Sequence, residues 1–216
     1  MVTLLSEQAS VLGQWILEIR DLTWQQDRAR FRRNMERIGE VAAYEISKHL
    51  EYVDTDVQTP LGTARCRVLK EQPVLATILR AGIPLQQGLA RYFDHADQAF
   101  IAAYRKHQQD GSFEISLDYL SSPDMGGKVL LLSDPMLATG ASLVKTIRAL
   151  KQHGAPRHIH VVAAIASRPG IAYLQEHTSD VSVWAGAIDE RLNERGYIVP
   201  GLGDAGDLAF GTKIQH

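Results

Sequence analysis

The stretch best equipped for chemistry runs from 129 to 142. Val129-Leu-Leu-Leu-Ser133 is an unbroken apolar run ending in Asp134-Pro135-Met136-Leu137-Ala138-Thr139-Gly140-Ala141-Ser142, after which a helical pattern begins. A strand, a loop of small residues and a helix N-terminus in that order make an anion site. The first-turn N–H groups lack intrahelical acceptors, and the helix dipole favours negative charge there. Thr139 and Ser142 add hydroxyl donors, and Gly140 lets the backbone approach closely. The loop suits a phosphate monoester. Asp134, at the strand tip, is placed to accept hydrogen bonds from a diol such as ribose. Ordinary helix capping by Thr139 or Ser142 is the competing explanation. Against it, a carboxylate at the end of a buried strand costs stability unless it has a partner. No Gly-Lys-Ser/Thr follows, which excludes a Walker A loop.

A second stretch, 187–213, reads AIDERLNERGYIVPGLGDAGDLAFGTK. Gly196, Gly201, Gly203, Gly206 and Gly211 predict a loop, too glycine-rich for a helix or a long strand, whose bare backbone can approach a planar ligand. Asp189, Asp204 and Asp207 lie among these small residues. Composition alone favours a plain glycine-rich surface loop. Arg80 follows the apolar run VLATIL at 74–79, so its fork is expected at a strand end, where bidentate donors suit phosphate oxygens; a surface ion pair is the alternative. Arg105 opens a polar excursion and would close over a substrate.

These residues need a scaffold. Apolar runs at 74–79, 98–103, 129–132, 159–166 and 181–185 are interleaved with helix-like stretches at 84–93, 141–153 and 169–177. Unbroken apolar strands between helices imply a parallel sheet covered on both faces. In such sheets ligands sit beyond the carboxyl ends of the strands. The expected fold class is α/β, a doubly wound, mostly parallel sheet. Phe31, Met35, Ile38, Ala42 and Ile46 recur at helical steps and predict a long helix over 24–50, within an N-terminal helical arm of about 1–50. Runs at 55–59 and 64–69 flank Pro60-Leu61-Gly62 and predict a β-hairpin. The excursion 104–127, broken by Gly111, Pro123, Gly126 and Gly127, is expected to be a flexible lid, with a surface hairpin as the alternative.

The 216 residues carry 23 Lys+Arg against 25 Asp+Glu, a formal charge of −2. One domain is expected at this length. Net charge gives no drive toward nucleic acid or an anionic membrane. Arg28, Arg30, Arg32 and Arg33 crowd one helix, but 18–51 balances seven basic with seven acidic residues, which reads as a solvated face. The single Cys66 excludes an internal disulfide and is expected to be a small buried apolar residue. No apolar run is long enough for a membrane span and the N-terminus does not read as a signal peptide, so a cytoplasmic protein is expected. His158 and His160 share a strand face without a third ligand and read as core or edge residues, and Trp15, Trp24 and Trp184 as packing residues.

DPMLATGAS at 134–142 resembles the 5-phosphoribosyl 1-diphosphate (PRPP) motif of uracil phosphoribosyltransferases, which have Asp-Pro where related purine enzymes have two adjacent acids. Segment 187–213 is similar to the uracil-binding segment of the same family almost residue for residue. ILRAG at 78–82, Tyr104-Arg105 and the long N-terminal helix agree more loosely. The resemblance implies a type I phosphoribosyltransferase fold and the reaction uracil + PRPP → UMP + pyrophosphate. It implies that backbone groups of Ile198, Gly203, Asp204 and Ala205 hold uracil. The 5′-phosphate would sit in Ala138, Thr139, Gly140, Ala141 and Ser142, with Pro135, Met136 and Leu137 completing the PRPP loop and Asp134 under the ribose. Arg80 and Arg105 would hold pyrophosphate. Asp204 would also face PRPP through Mg²⁺ or its waters, the metal being held mainly by PRPP. Asp204, Asp134 and Arg105 are the expected catalytic residues. Fixed backbone donors and acceptors would match the edge of uracil and reject cytosine, whose donor and acceptor are exchanged there.

Three departures stand out against the family's usual pattern. Gln87 replaces an acid, Lys106-His107-Gln108-Gln109 replaces Asn-Glu-Glu-Thr, and Ala141 replaces a second glycine. The first two alter the diphosphate edge and the lid, while PRPP and uracil binding are expected to survive. The resemblance further implies a homodimer or larger homo-oligomer and a possible GTP effector. The alternative is a PRPP- or UMP-sensing regulatory homologue with weak or no catalysis.

Overall fold

The computed structural model describes the backbone of residues 1–107 and 113–212, with side chains for all of these except 103–107 and 113–118. The chain begins with strand β1 (Val2–Leu4) and helix α1 (Val11–Arg20), followed after a 3-10 turn by α2 (Arg28–Ser47). Strands β2 (Tyr52–Thr59) and β3 (Gly62–Leu69) precede β4 (Val74–Leu79), α3 (Ile83–Ala90), β5 (Gln98–His107), β6 (Phe113–Ser121), β7 (Val129–Ser133) and β8 (Met136–Leu137). The remainder is α4 (Ala141–Leu150), β9 (His158–Ser167), α5 (Arg168–His177), β10 (Val181–Asp189), β11 (Arg191–Leu192), β12 (Ile198–Val199) and α6 (Ala205–Phe210).

The central sheet runs β1-β10-β9-β7-β4-β5-β6, with β8 also paired to β9. Every pairing is parallel except β5 with β6. β7 is buried throughout and β4 nearly so, as the apolar runs require of strands covered on both faces. Alternate residues feed two cores. Leu75, Leu131, Val162 and Trp184 pack with α1, α2 and α3, and Ala76, Leu130, Leu132, Val161 and Val183 pack with α4 and α5. The chain leaves β4 for β5 on one side and returns through β7 on the other. The strand order therefore reverses at β4, which opens a crevice between the carboxyl ends of β4 and β7.

Helix α2 starts where Asp27 accepts hydrogen bonds from the Ala29 and Arg30 N–H groups, each 3.0 Å. Its predicted stripe, Phe31, Met35, Ile38, Ala42 and Ile46, is wholly buried. Glu18 of α1 lies beneath it, 4% exposed, accepting from Arg30 (2.8 Å) and Asn34 (2.7 Å). These donors hold its carboxyl at about 2, well below the ordinary value. His160 is buried against Trp184, whose indole N–H donates to its Nδ1 at 2.9 Å, and burial pushes its pKa down to about 3. His158 faces Ser182, so neither histidine is placed as a ligand. Trp184 is core, whereas Trp24 is partly exposed beneath the Arg30 guanidinium.

The structure corrects three expectations. Residues 2–4 are a sheet-edge strand, not part of a helical arm, because they complete the free edge of β10. Cys66 is exposed, since the β2–β3 hairpin forms its own two-stranded sheet away from the core. Residues 205–210 are helical despite Gly206, because Asp204 caps them. The excursion at 104–127 contains the adjoining ends of β5 and β6, paired antiparallel on the sheet edge, and its tip at 108–112 lies outside the described residues.

Candidate active site

Two hydroxyls brace the floor of the β4/β7 crevice. Thr77 donates to the Ser133 carbonyl (3.4 Å) and Ser133 donates to the Ala76 carbonyl (3.2 Å). Asp134 follows immediately, half-buried, its N–H on the Val162 carbonyl and its Oδ1 accepting from Met136 N–H at 3.2 Å. The chain then turns through 138–140 into α4. Gly140 has φ +80°, and a Cβ there would stand 2.7 Å from the Gly170 carbonyl, so only glycine fits without distortion. Gly140, at the start of α4, has no side chain to cap it, and Thr139 Oγ1 accepts from the Ala141 N–H at 3.4 Å. A cleft lies at its N-terminus, lined by Asp134, Met136, Leu137, Ala138, Thr139, Gly140, Ser142 and Leu143. Of the predicted loop only Pro135 and Ala141 are outside that lining, and Ala141 sits in α4, where a negative φ suits alanine. Behind the loop, Ser167 donates to the Ala138 carbonyl (2.5 Å) and accepts from Gly170 N–H (2.9 Å). Sequence reasoning missed Ser167, which only its place at a strand end before Pro169 would have flagged.

Arg80 stands at the end of β4, exposed, and the C-terminal segment comes to it. It donates to the Gly211 carbonyl at 3.1 Å and lies 3.6 Å from Asp207. Asp204 caps α6 by accepting from Asp207 N–H at 3.0 Å. Gly206 lies against Ala81, and Arg32 of α2 donates to the Ala209 carbonyl at 2.7 Å. Ile198 and Ala205 are each 4% exposed, with their side chains in the core. Whatever those two residues offer a ligand must therefore come from their backbone. Gly203, in the same stretch, is exposed, with φ +97°. Arg105 lies on β5, but its side chain and those of Lys106–Gln109 are outside the described residues. Gln87 is exposed on α3, so the charge lost there is a surface charge.

Asp134 lies at the cleft beside the α4 N-terminus, while the Arg80 guanidinium lies near Asp207, whose N–H is held by Asp204. Among the described residues, no group of three or more His, Cys, Asp or Glu side chains is gathered to cage a metal. The donor set instead fits a hydrated divalent ion held mainly by oxygens of a bound substrate. No helix among the described residues is long and apolar enough to cross a membrane.

Comparison with known proteins agrees with this geometry. A family model described as uracil phosphoribosyltransferase matches residues 7–212. A uracil phosphoribosyltransferase from Porphyromonas gingivalis is 49% identical over 97% of this chain and 98% of its own. One from Methanothermobacter thermautotrophicus is 40% identical over 86% of this chain and 85% of its own. A solved structure of a protein from Aquifex aeolicus superimposes with a TM-score of 0.87 at 29% identity, covering 100% of both chains. A hypoxanthine phosphoribosyltransferase from Staphylococcus aureus shares the fold, with a TM-score of 0.51 at 14% identity over 91% of this chain and 94% of its own. A crevice at the β4 switch point, a cleft at the helix N-terminus behind Asp134 and a match along nearly the whole chain lead to one conclusion: this chain belongs to the uracil phosphoribosyltransferase family.

Proposed function

We propose that the protein transfers the 5-phosphoribosyl group of PRPP to N1 of uracil, giving UMP and pyrophosphate in pyrimidine salvage. Two observations support this reading: a cleft at the N-terminus of α4 behind Asp134, and the docking of Gly206, Asp207 and Gly211, just beyond 198–205, on Arg80 and Ala81 at the end of β4. The N1–C1′ bond forms as the C1′–O bond to pyrophosphate breaks, and the N1 proton leaves to solvent or to the departing pyrophosphate. The transition state resembles the oxocarbenium ion of glycoside chemistry. The protein supplies no covalent nucleophile; it aligns N1 with C1′ and places charge.

In this account the 138–142 backbone and the Thr139 and Ser142 hydroxyls hold the 5′-phosphate. Asp134 accepts from the ribose hydroxyls. Arg80, released from Gly211 and Asp207, and Arg105 take up pyrophosphate oxygens. Backbone groups at Ile198, Gly203, Asp204 and Ala205 read the uracil edge, and Asp204 faces the sugar. Mg²⁺ bound through PRPP, with Asp204 reaching it through water, would neutralise the leaving group. The 104–127 excursion would exclude water from the reacting centre.

The same proposal includes a homo-oligomer. Val53, Val57 and Val68, all more than a third exposed, share one apolar face of the β2–β3 hairpin with Thr55, Ala64 and Cys66. A lone two-stranded ribbon is marginal in water, and a second copy would cover that face. A monomer in sedimentation would overturn this part. One exposed thiol suits a reducing cytoplasm, and GTP is the effector to test. Following UMP from uracil, PRPP and Mg²⁺ with and without GTP tests the whole reading. No UMP under any of these conditions would overturn it in favour of a ligand-sensing homologue.

A further inference from the structure

Base recognition by 198–205 depends on that segment holding its shape; pairing with β11 holds its start and the Asp204 cap its end, but residues 200–203 between them belong to neither a strand nor a helix. Its centre, Gly201-Leu202, is buried. Gly201 has φ +60°, and a Cβ there would stand 2.3 Å from the Ile198 carbonyl. Three groups distant in sequence meet its backbone. Asp189, at the end of β10, accepts from Gly201 N–H at 2.9 Å. Arg20, the last residue of α1, forms a two-pronged ion pair with Asp189 (2.9 and 2.8 Å) and donates to the Gly201 carbonyl at 3.0 Å. The amide of Gln25, 6% exposed, faces two carbonyls, and its nitrogen donates to Leu202 (2.9 Å) and Ile19 (3.2 Å). The backbone groups of Gly201 and the Leu202 carbonyl are thereby engaged within the protein, while Gly203 beyond them is exposed and Asp204 half-buried.

We infer that Arg20, Gln25 and Asp189 are positioning residues for the base, fixing the register in which 198–205 presents its backbone. None of them touches substrate. The inference rests on the proposed uracil site. A plain structural strut would lower stability and reduce every kinetic constant together, whereas a positioning role acts on the base alone. The fork is needed as well as the charge, because a lysine ammonium is a point donor that cannot reach both carboxylate oxygens and the carbonyl in one plane.

The experiment compares the full chain with Gln25→Leu and Arg20→Lys by steady-state kinetics, thermal melting and hydrogen exchange. Losing one buried hydrogen bond corresponds to about a tenfold change. The KM for uracil is expected to rise about tenfold in each variant, with the KM for PRPP within about twofold of the parent. Amide exchange is expected to quicken in 198–205 and stay unchanged in 134–142. Equal changes in both KM values tracking a lower Tm, or unchanged exchange in 198–205, would overturn the inference. If the parent forms no UMP, the uracil reading itself has failed, and the exchange pattern still decides whether these residues fix the segment. Should Arg20→Lys not fold, Gln25→Leu, which leaves the ion pair intact, carries the test.

Discussion

Ala138, in the phosphate loop, takes its brace from Ser167, 29 residues away, while Gly201, in the base-recognition segment, takes its own from Arg20, 181 residues away. The first brace joins two neighbouring strand-to-helix turns of one βαβ unit. The second joins the end of α1 to a segment that packs in the same core but lies 181 residues further along the chain. The phosphate half is therefore set by local chain geometry, with a glycine turn, a helix N-terminus and an adjacent serine. The base half is set by tertiary docking of the N-terminal helices, through Arg20, Gln25 and Arg32. Under the proposed function, phosphate recognition would rest on the local device and recognition of the base on the one docked by distant elements.

Four changes would break or sharpen that contrast. The largest effect is expected from Asp204→Ala, which removes both the carboxylate proposed to face the sugar and the cap of α6. Turnover should fall at least a hundredfold in UMP assays, while loss of the cap costs only about 1 kcal/mol of stability; near-parental turnover would refute the role of Asp204. Gly140→Val comes next. At φ +80° and in contact with the Gly170 carbonyl, a branched side chain must displace the loop. The KM for PRPP should rise more than tenfold with little change in segment 198–205 by hydrogen exchange, so loosening of both halves together would erase the distinction.

Acid should then separate the halves. Glu18 docks α1 on α2, and its folded pKa of about 2 lies below the ordinary 4.5. A depressed carboxyl pKa stabilises the fold above pH 4.5, and that contribution is lost as pH falls from 4.5 toward 2. Over that window exchange in α1 and 198–205 should quicken before exchange in 134–142. Glu18→Gln should flatten the acid dependence, and an unchanged pH profile in that variant would count against the docking role. The smallest effect is expected from Ala141→Gly. Ala141 already adopts helical dihedrals, so restoring the family's glycine should change both KM values by less than about twofold; a larger gain would mean the alanine does constrain the loop.

The same contrast explains what the sequence made legible. The α2 stripe, the buried strands and the 134–142 loop each announce themselves through short-range pattern: period, apolar run, glycine before a helix. β1 is too short to show a period, and α6 hides in a glycine-rich run because its start depends on the cap at Asp204. The hairpin containing Cys66 reads correctly as a hairpin, but nothing in a strand pattern tells that it leaves the core. Arg20 and Gln25 carry no motif at all. Their function comes from where α1 lands on the sheet, and a pairing across 181 residues has no local signature.

The central claim is that the crevice joins a phosphoribosyl donor to uracil. The most direct measurement mixes the purified full chain with PRPP, Mg²⁺ and labelled uracil and follows label into UMP, with cytosine, hypoxanthine and adenine in parallel. UMP is expected in step with pyrophosphate release, and no nucleotide from the other bases. Pyrophosphate release without UMP, or nucleotide formed from another base as readily as from uracil, would contradict it.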